Sequence, residues 1–160
     1  MNLGAILASG LIATIVLTTT LAGCQWLGYS RMSLPFVLGT MLTSNHDHAR
    51  VVGMAFHFFN GLVFALVYGL AFELIGAATV WIGAIGGLVH GSFALLIILP
   101  LVPTFHPRMA TERAGPRSTS VLEPPGLFGL NYGAATPIVA VVAHLCYGAV
   151  LGLLVGAGPT

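Results

Sequence analysis

The sequence predicts an all-α integral membrane protein, a single domain over residues 1–160 in which four transmembrane helices form a bundle. Of the 160 residues, 57% are hydrophobic and only 6% are charged, whereas soluble domains carry about 25% charged residues. Such a chain cannot cover a globule with solvated side chains. Four apolar stretches are also long enough for helices that cross a hydrocarbon core, which takes about 20 residues. They cover residues 3–23, 51–72, 80–102 and 135–157.

The links between the predicted spans are unequal. The turn around Gly76–Thr79 is short and predicts a tight hairpin, whereas the links 24–50 and 103–134 are long and, after four crossings, lie on the same side. These two links hold all five basic side chains: Arg31, Arg50, Arg108, Arg113 and Arg117. Because Lys and Arg near span ends favour the cytoplasm, we predict cytoplasmic links and both termini outside, in the cell inner membrane.

The charge balance argues against a nucleic-acid partner. The chain has no lysine and a net charge of +1, so it offers no positive field that would hold a polyanion. The expected partners are the lipid bilayer and a second copy of the chain or a larger membrane complex. Glycine-rich helix faces would support such packing.

Residues 21–24, Leu-Ala-Gly-Cys, allow a competing interpretation of the first span. The tetrapeptide resembles the lipobox of bacterial lipoproteins, in which the chain is cut before a lipid-bearing Cys. A signal peptide normally opens with Lys or Arg, but this chain opens MNLGAILASG. Export of Cys24 would also export every arginine, so an uncleaved first span is favoured and the lipobox remains the alternative.

The spans contain an internal repeat. The second and the fourth share His-x-x-x-Gly, at His57–Gly61 and His144–Gly148. The first and third share a weaker pattern, residues 10–13 against 87–90. A two-helix unit that is repeated once keeps its orientation, so we expect the two halves to be related by an axis along the membrane normal.

Four segments carry a resemblance to a family. They are His-Phe-Phe-Asn-Gly at 57–61, His-Pro-Arg-Met at 106–109, Gly-Leu-Phe-Gly-Leu-Asn-Tyr-Gly at 126–133 and His-Leu-Cys-Tyr-Gly-Ala-Val-Leu-Gly at 144–152. On these segments the chain resembles a family of small, uncharacterised bacterial integral membrane proteins with four helices. The resemblance implies the four-helix topology and supplies no reaction.

Three histidines, His57, His90 and His144, lie within predicted spans. Polar side chains at such depth are rare and usually face the bundle interior. Helical geometry places each histidine on a face with small, polar or aromatic residues, so all three are predicted to point inward. The candidate polar partners are Asn60, Tyr68 and Tyr147, and the candidate helix-packing residues are Gly83, Gly87 and Gly91.

A small residue precedes each of these histidines by four positions: Gly53, Gly86 and Ala140. The spacing resembles the Ala-x-x-x-His motif of bacterial light-harvesting helices, in the motif only. A missing side chain one turn from a ligand allows a flat macrocycle to lie against the helix, so haem b or copper ligation is one hypothesis. The favoured alternative is structural, with each neutral imidazole bonded to a backbone carbonyl, Asn or Tyr across a helix interface.

The segment His46-Asp47-His48 is a weaker metal candidate. Two imidazoles and a carboxylate suit zinc or copper, but their spacing is not that of a structural zinc site. A solvated loop end is the favoured interpretation, and Asp47 is also a candidate cap for the next helix.

The sequence contains no catalytic motif. It lacks an acid and base pair within the spans, a nucleophile elbow, a phosphate-binding loop and HExxH. We therefore predict a structural or accessory membrane protein within a larger assembly. The alternatives are a redox protein that binds haem b or copper through His57 and His144, with His90 as a third candidate ligand, and a small transporter or channel.

Overall fold

The computed structural model describes residues 2–157, and this part of the chain is built from helices without a β-strand. The helices are α1 Leu3–Trp26, α2 Leu34–Leu42, α3 His46–Ile75, α4 Val80–Phe93, α5 Leu99–Phe105 and α6 Thr136–Gly156. A π-helical turn, Ala94–Ile98, joins α4 to α5, and a 3₁₀ turn, Leu127–Tyr132, precedes α6.

Within residues 2–157, four helical segments are long and apolar enough to cross a membrane: α1, α3, the continuous stretch Val80–Phe105 and α6. The all-α prediction with four spans is confirmed, and the chain is a multi-pass membrane protein. Large apolar side chains on these helices are exposed, among them Trp81 at 79% and Leu74 at 81%. In a bilayer this apolar surface faces acyl chains.

The link predicted over residues 24–50 is not simply a loop. It contains α2 and the first turn of α3. Helix α2 has nine residues, too few to cross a bilayer, so a search for spans misses it. Its Pro35 lies in the first turn, where the absent N–H has no intrahelical partner to lose.

Helix α3 begins at His46, five residues before the predicted start. The cap is Asn45, whose Oδ1 accepts hydrogen bonds from the backbone N–H groups of Asp47 and His48, both at 3.0 Å. The prediction that Asp47 caps this helix is therefore corrected. Asp47 lies in the first turn, where its negative charge favours the positive end of the helix dipole.

The third span changes its winding after Phe93. The backbone N–H of Leu99 donates to the Ala94 carbonyl, which is five residues earlier. Pro100 and Pro103 follow within α5. Proline has no N–H and its ring crowds the preceding turn, which explains a wide turn at this position of an otherwise regular helix.

The chain divides into two compact units. The first unit comprises the described residues of 1–22, 58–92 and 140–160, and the second unit comprises residues 23–57 and 93–139. The core of the first unit consists of Ile6, Ala13, Leu17, Ala65, Tyr68, Phe72, Ala143, Tyr147 and Leu151. The core of the second consists of Val37, Val102 and Met109, with Leu122 packed against it.

Two pairs of helices approach closely within the first unit. In the pair of α1 and α3, a Cβ built on Gly61 would clash with the Thr14 side chain. In the pair of α4 and α6, a Cβ on Gly83 would clash with the Gly148 carbonyl, and one on Gly148 with the Gly83 carbonyl. Backbone approach through glycine is typical of helix packing in membranes.

These contacts revise one part of the predicted repeat. Gly61 and Gly148 each follow a histidine by four residues, and they contact Thr14 and Gly83 respectively. The packing therefore aligns Thr14 with Gly83, whereas the weaker sequence pattern aligned residue 10 with residue 87. Small residues recur so often in α1 and α4 that several registers fit the sequence.

Candidate functional site

The candidate site is a cluster of four polar aromatic side chains in the first unit, which we call the His–Tyr cluster: Tyr68, His90, His144 and Tyr147. The rings of His90 and His144 meet edge to face, with centroids 4.7 Å apart and planes inclined by 74°. Tyr68 lies 6.1 Å from His90 and 5.6 Å from Tyr147 between ring centroids. Two of the three predicted intramembrane histidines are thus in contact.

Glycines of α4 bring these rings together. A Cβ on Gly87 would clash with the His144 carbonyl, and a Cβ on Gly91 would lie 3.1 Å from the His144 Cβ. The stripe formed by Gly83, Gly87 and Gly91 therefore lies directly against α6. This close approach positions His144 beside His90, which lies between two of these glycines in sequence.

Tyr147 of α6 also lies 6.1 Å from His90 between ring centroids, and further contacts of His90 come from α3. The Phe64 ring covers the His90 imidazole at a centroid distance of 3.9 Å and an angle of 30°. A Cβ on Gly86 would lie 2.9 Å from Cε1 of Tyr68. Gly86 therefore provides space for a tyrosine ring.

Two members of the cluster bond to backbone carbonyls. His144 Nδ1 donates to the Ala140 carbonyl at 2.7 Å, and the Tyr147 hydroxyl donates to the Gly61 carbonyl at 2.5 Å. The first bond fixes the His144 tautomer with the proton on Nδ1 and a lone pair on Nε2. The partner of His144 Nδ1 is thus a carbonyl of its own helix.

Two other polar atoms of the cluster are buried and have no hydrogen-bond partner in the described chain: the Tyr68 hydroxyl oxygen and His90 Nδ1. Tyr68 is only 7% exposed. A buried polar group without a partner costs about 1–3 kcal/mol, so two of them in one cluster require an explanation. The third predicted polar partner, Asn60, is half-buried on α3.

His57 lies in the second unit and is 3% exposed. One turn before it, a Cβ on Gly53 would clash with the Pro35 carbonyl of α2. A Cβ on Gly39 of α2 would likewise clash with the Ala49 carbonyl of α3. Helix α2 therefore packs directly on the α3 backbone through these two glycines.

Each small residue of the proposed haem pattern has a packing contact within the chain. Gly53 accommodates α2, Gly86 accommodates the Tyr68 ring, and the Ala140 carbonyl accepts the bond from His144. Between His90 and His144 the edge-to-face contact leaves no gap for a macrocycle, because such a ring needs about 3.5 Å from carbon atoms on either side. The small residues at Gly53 and Gly86 thus have a structural explanation, and at Ala140 the described contact involves only the backbone.

The His46-Asp47-His48 segment is exposed at the start of α3. The Asp47 carboxylate pairs with Arg50 at 3.2 Å, and the His46 ring meets Phe36 edge to face at 5.4 Å. Across residues 2–157, no group of three or more His, Cys, Asp and Glu side chains is arranged to hold a metal ion. At His90 and His144, a metal ion would have two imidazole ligands and no carboxylate ligand.

No protein-family model, curated protein or solved structure matches this chain.

A second cluster, in the second unit, has residues that sequence reasoning did not select. His106 is 4% exposed; its Nε2 donates to the Val37 carbonyl at 3.0 Å, and its Nδ1 accepts from the Arg108 backbone N–H at 3.1 Å. Arg108 Nη1 donates to the Thr40 carbonyl at 2.8 Å. A cation at the last carbonyls of a helix is favourable, so Arg108 caps the end of α2, whereas His106 bonds to a carbonyl in the first half of this helix. The available signal was the His-Pro-Arg-Met segment of the family resemblance.

Arg31 has a comparable structural role in the second unit. Its guanidinium pairs with Glu123 at 2.9 Å and donates to the Asn131 carbonyl at 2.6 Å. The Tyr132 hydroxyl donates to the Glu123 carbonyl at 2.7 Å. Arg31 and Arg108 therefore join the two long links as well as contributing to their positive charge.

The buried His106 side chain predicts a pH-dependent stability. Burial lowers the pKa of His106 below 6.5, and the nearby Arg108 adds to this effect, while the bond to Val37 opposes it. As the pH falls below 6.5, the unfolded chain therefore binds a proton at this position before the folded chain does. The stabilisation is present above pH 6.5 and is lost toward the lower folded pKa, by at most about 1.4 kcal/mol per pH unit.

The test compares the wild type with His106→Gln, which retains an N–H donor and does not titrate. We expect the difference in unfolding free energy between them to shrink as the pH falls from 7 to 5. A difference that does not change over this interval would contradict the prediction.

Proposed function

We propose that the protein is a structural or accessory component of the membrane that forms part of a larger assembly. One observation carries the proposal: several polar side chains in the spans of the first unit bond to backbone carbonyls of that unit. Thr14 bonds to Gly10 and His144 bonds to Ala140 within their own helices, and Tyr147 bonds to Gly61 on another helix. These bonds engage the polar groups inside the unit, and the Tyr147 bond also stabilises the packing of α6 on α3.

The glycine contacts support the same role. Gly83 and Gly148 bring two backbones into contact, which favours a rigid interface that does not open easily. The apolar outer surface, with residues such as Trp81 and Leu74, suits lipid or another apolar helix. A rigid bundle of this kind can position partners within the membrane without chemistry of its own.

We further propose an orientation and a family. Every arginine lies in the two long links, which supports cytoplasmic links and external termini in the inner membrane. Membership of the family of small bacterial four-helix membrane proteins rests on the four segments described above. A reporter fused after Thr160 tests the orientation, because activity on the cytoplasmic side would reverse it.

The alternatives have weaker support. A redox role needs ligands arranged around an open position, and the best-defined pair, His90 and His144, is closed by ring contact. His57 as a ligand stays a prediction. A transporter needs groups that bind a solute or a coupling ion, and within the spans the only Asp, Glu, Lys or Arg away from the long links is Glu73, near the end of α3.

Co-isolation of two differently tagged copies, expressed together and extracted in mild detergent, tests the proposed role. We expect a particle larger than the monomer, with the second tag present if the partner is another copy and absent if it is a different protein. A monomer in every mild detergent would contradict the proposal.

Two measurements on the same preparation address the alternatives. A Soret absorption band that is lost in His57→Ala or His144→Ala would favour a haem protein. Flux through liposomes above that of empty vesicles would favour a transporter. The structural role predicts a colourless protein and background flux.

A further inference from the structure

A cavity of about 530 Å³ lies in the second unit. Its walls come from α5, with Pro100 and Thr104, from residues 111–113 of the link that follows, and from residues 124–127, where the 3₁₀ turn begins. Sites for small molecules typically enclose about 300–1,000 Å³. The cavity therefore has room for a ligand.

The cavity adjoins the end of a membrane span. The continuous helical stretch Val80–Phe105 has 26 residues, which at about 1.5 Å per residue make about 39 Å. The hydrocarbon core is only about 30 Å thick, so the stretch extends into the headgroup layer. Its last turn, with Pro103 and Thr104, leads directly into the charged link. This wall of the cavity therefore lies at the level of lipid headgroups.

Two opposite charges line the cavity. Glu112 and Arg113 are exposed neighbours in sequence, and neither side chain has an ion-pair or hydrogen-bond partner among residues 2–157. In contrast, Arg31, Arg50 and Arg108 are bonded to other groups of the chain. The cavity thus offers one cation and one anion that are both available to a ligand.

The remaining walls are largely apolar and stiff. They include four prolines, whose rings fix the backbone and offer no N–H group: Pro100, Pro103, Pro124 and Pro125. Leu127, which also lines the cavity, is 66% exposed. An acyl chain would cover this surface, whereas a small water-soluble phosphate ester would leave it in contact with water.

Local hydrogen bonds hold both kinds of wall in place. The Thr111 carbonyl accepts from the Gly115 N–H at 2.8 Å, which closes the turn that carries the two charges. Asn131 Nδ2 donates to the Pro124 carbonyl at 3.0 Å. A site that is formed before binding loses little free energy to ordering when the ligand arrives.

We infer that this cavity binds the headgroup of a phospholipid with a primary ammonium group, such as phosphatidylethanolamine. The Arg113 guanidinium pairs with the phosphate, whose oxygens match its planar set of donors, and the Glu112 carboxylate pairs with the ammonium. The acyl chains lie along Leu127 and the prolines. A choline headgroup fits less well, because it cannot donate a hydrogen bond to Glu112. Quaternary ammonium groups also prefer aromatic rings, and none of the described residues that line the cavity is aromatic.

Native mass spectrometry of the whole chain, titrated in detergent with one lipid at a time, tests the inference. We expect the first phosphatidylethanolamine to bind about fivefold more tightly than phosphatidylglycerol with the same acyl chains, because phosphatidylglycerol has no cation for Glu112. Arg113→Gln should weaken phosphatidylethanolamine binding about tenfold. Arg117→Gln is the matched control, since Arg117 lies in the same link but does not line the cavity, and it should leave the binding unchanged.

Glu112→Gln tests the assignment of the headgroup. It replaces the carboxylate by a neutral group of similar size, so the preference for phosphatidylethanolamine over phosphatidylglycerol should disappear. Glu112 and Arg113 are exposed and have no partner side chain in the described part of the chain, so we expect both variants to fold as the wild type does.

Four results would overturn the inference. Phosphatidylglycerol that binds the wild type at least as tightly would indicate an anionic lipid attracted by the arginines alone. Equal effects of Arg113→Gln and Arg117→Gln would place the binding outside the cavity. A preference that survives Glu112→Gln would remove the ammonium pair. Displacement of the lipid by an equal concentration of free phosphoethanolamine would indicate a water-soluble ligand.

Discussion

Gly83→Ala is expected to destabilise the first unit by about 3 kcal/mol or more, which is at the upper end of single-residue effects. The added Cβ would occupy the position of the Gly148 carbonyl, and backbone atoms cannot move aside as a flexible side chain can. Helices α4 and α6 would have to separate, and the contact of His90 with His144 would be lost. Unfolding in mixed micelles measures the change in free energy.

Gly23→Ala is the control for this prediction. Gly23 also lies within a transmembrane helix, but a Cβ there meets nothing within 4 Å. Its replacement by alanine should be neutral or slightly stabilising, because alanine is the better helix former. Gly148→Ala should reproduce the loss, since its Cβ would meet the Gly83 carbonyl. Equal stability of Gly83→Ala and Gly23→Ala would show that the two backbones are not in contact.

The four spans were predictable because crossing a bilayer imposes one requirement, a long apolar helix, that can be seen in sequence alone. Helix α2 was not predictable in this way. Its Leu-Pro-Phe-Val-Leu-Gly-Thr-Met-Leu sequence is apolar but only nine residues long. It is stabilised by the docking of Gly39 on α3, by the His106 bond to the Val37 carbonyl and by the cap from Arg108, and contacts between residues so far apart in sequence follow no local pattern.

The candidate site shows a similar division. Helical periodicity and depth were sufficient to place His90 and His144 on inward faces, and the structure has them in contact. Hydrogen-bond partners were harder to predict, because they depend on the register between helices. Tyr147 bonds to the Gly61 carbonyl, and every residue offers a carbonyl, so residue type cannot identify the acceptor.

The small residue four positions before each histidine shows why a motif alone is ambiguous. A glycine in a membrane helix allows something to approach the backbone, and the sequence does not indicate whether that neighbour is a cofactor or another helix. At Gly53 the neighbour is α2. If Gly53 accommodates α2, its replacement disturbs the helix packing even in the protein without a cofactor. If Gly53 accommodates a cofactor, its replacement has an effect only when the cofactor is bound.

Gly53→Ala is expected to release α2 from α3 in the protein as purified, with or without a cofactor. The new Cβ would clash with the Pro35 carbonyl in the first turn of α2. Helix α2 is too short to remain helical without tertiary contacts. We expect hydrogen exchange of its amides, including Val37, and of the following Thr43 amide to accelerate about 100-fold, equivalent to about 3 kcal/mol.

The partner variant and the control separate packing from ligand binding at this position. Gly39→Ala should accelerate the same amides, because its Cβ would meet the Ala49 carbonyl from the opposite side of the same interface. Gly23→Ala should leave them protected. If Gly53 instead serves a macrocycle at His57, Gly53→Ala would leave α2 protected and change only the spectrum of the loaded protein. Fast amide exchange in both Gly53→Ala and Gly39→Ala, together with an unchanged absorption spectrum, would assign Gly53 to helix docking. Contact with α2 controls the exchange rate, whereas contact with a macrocycle would control the spectrum.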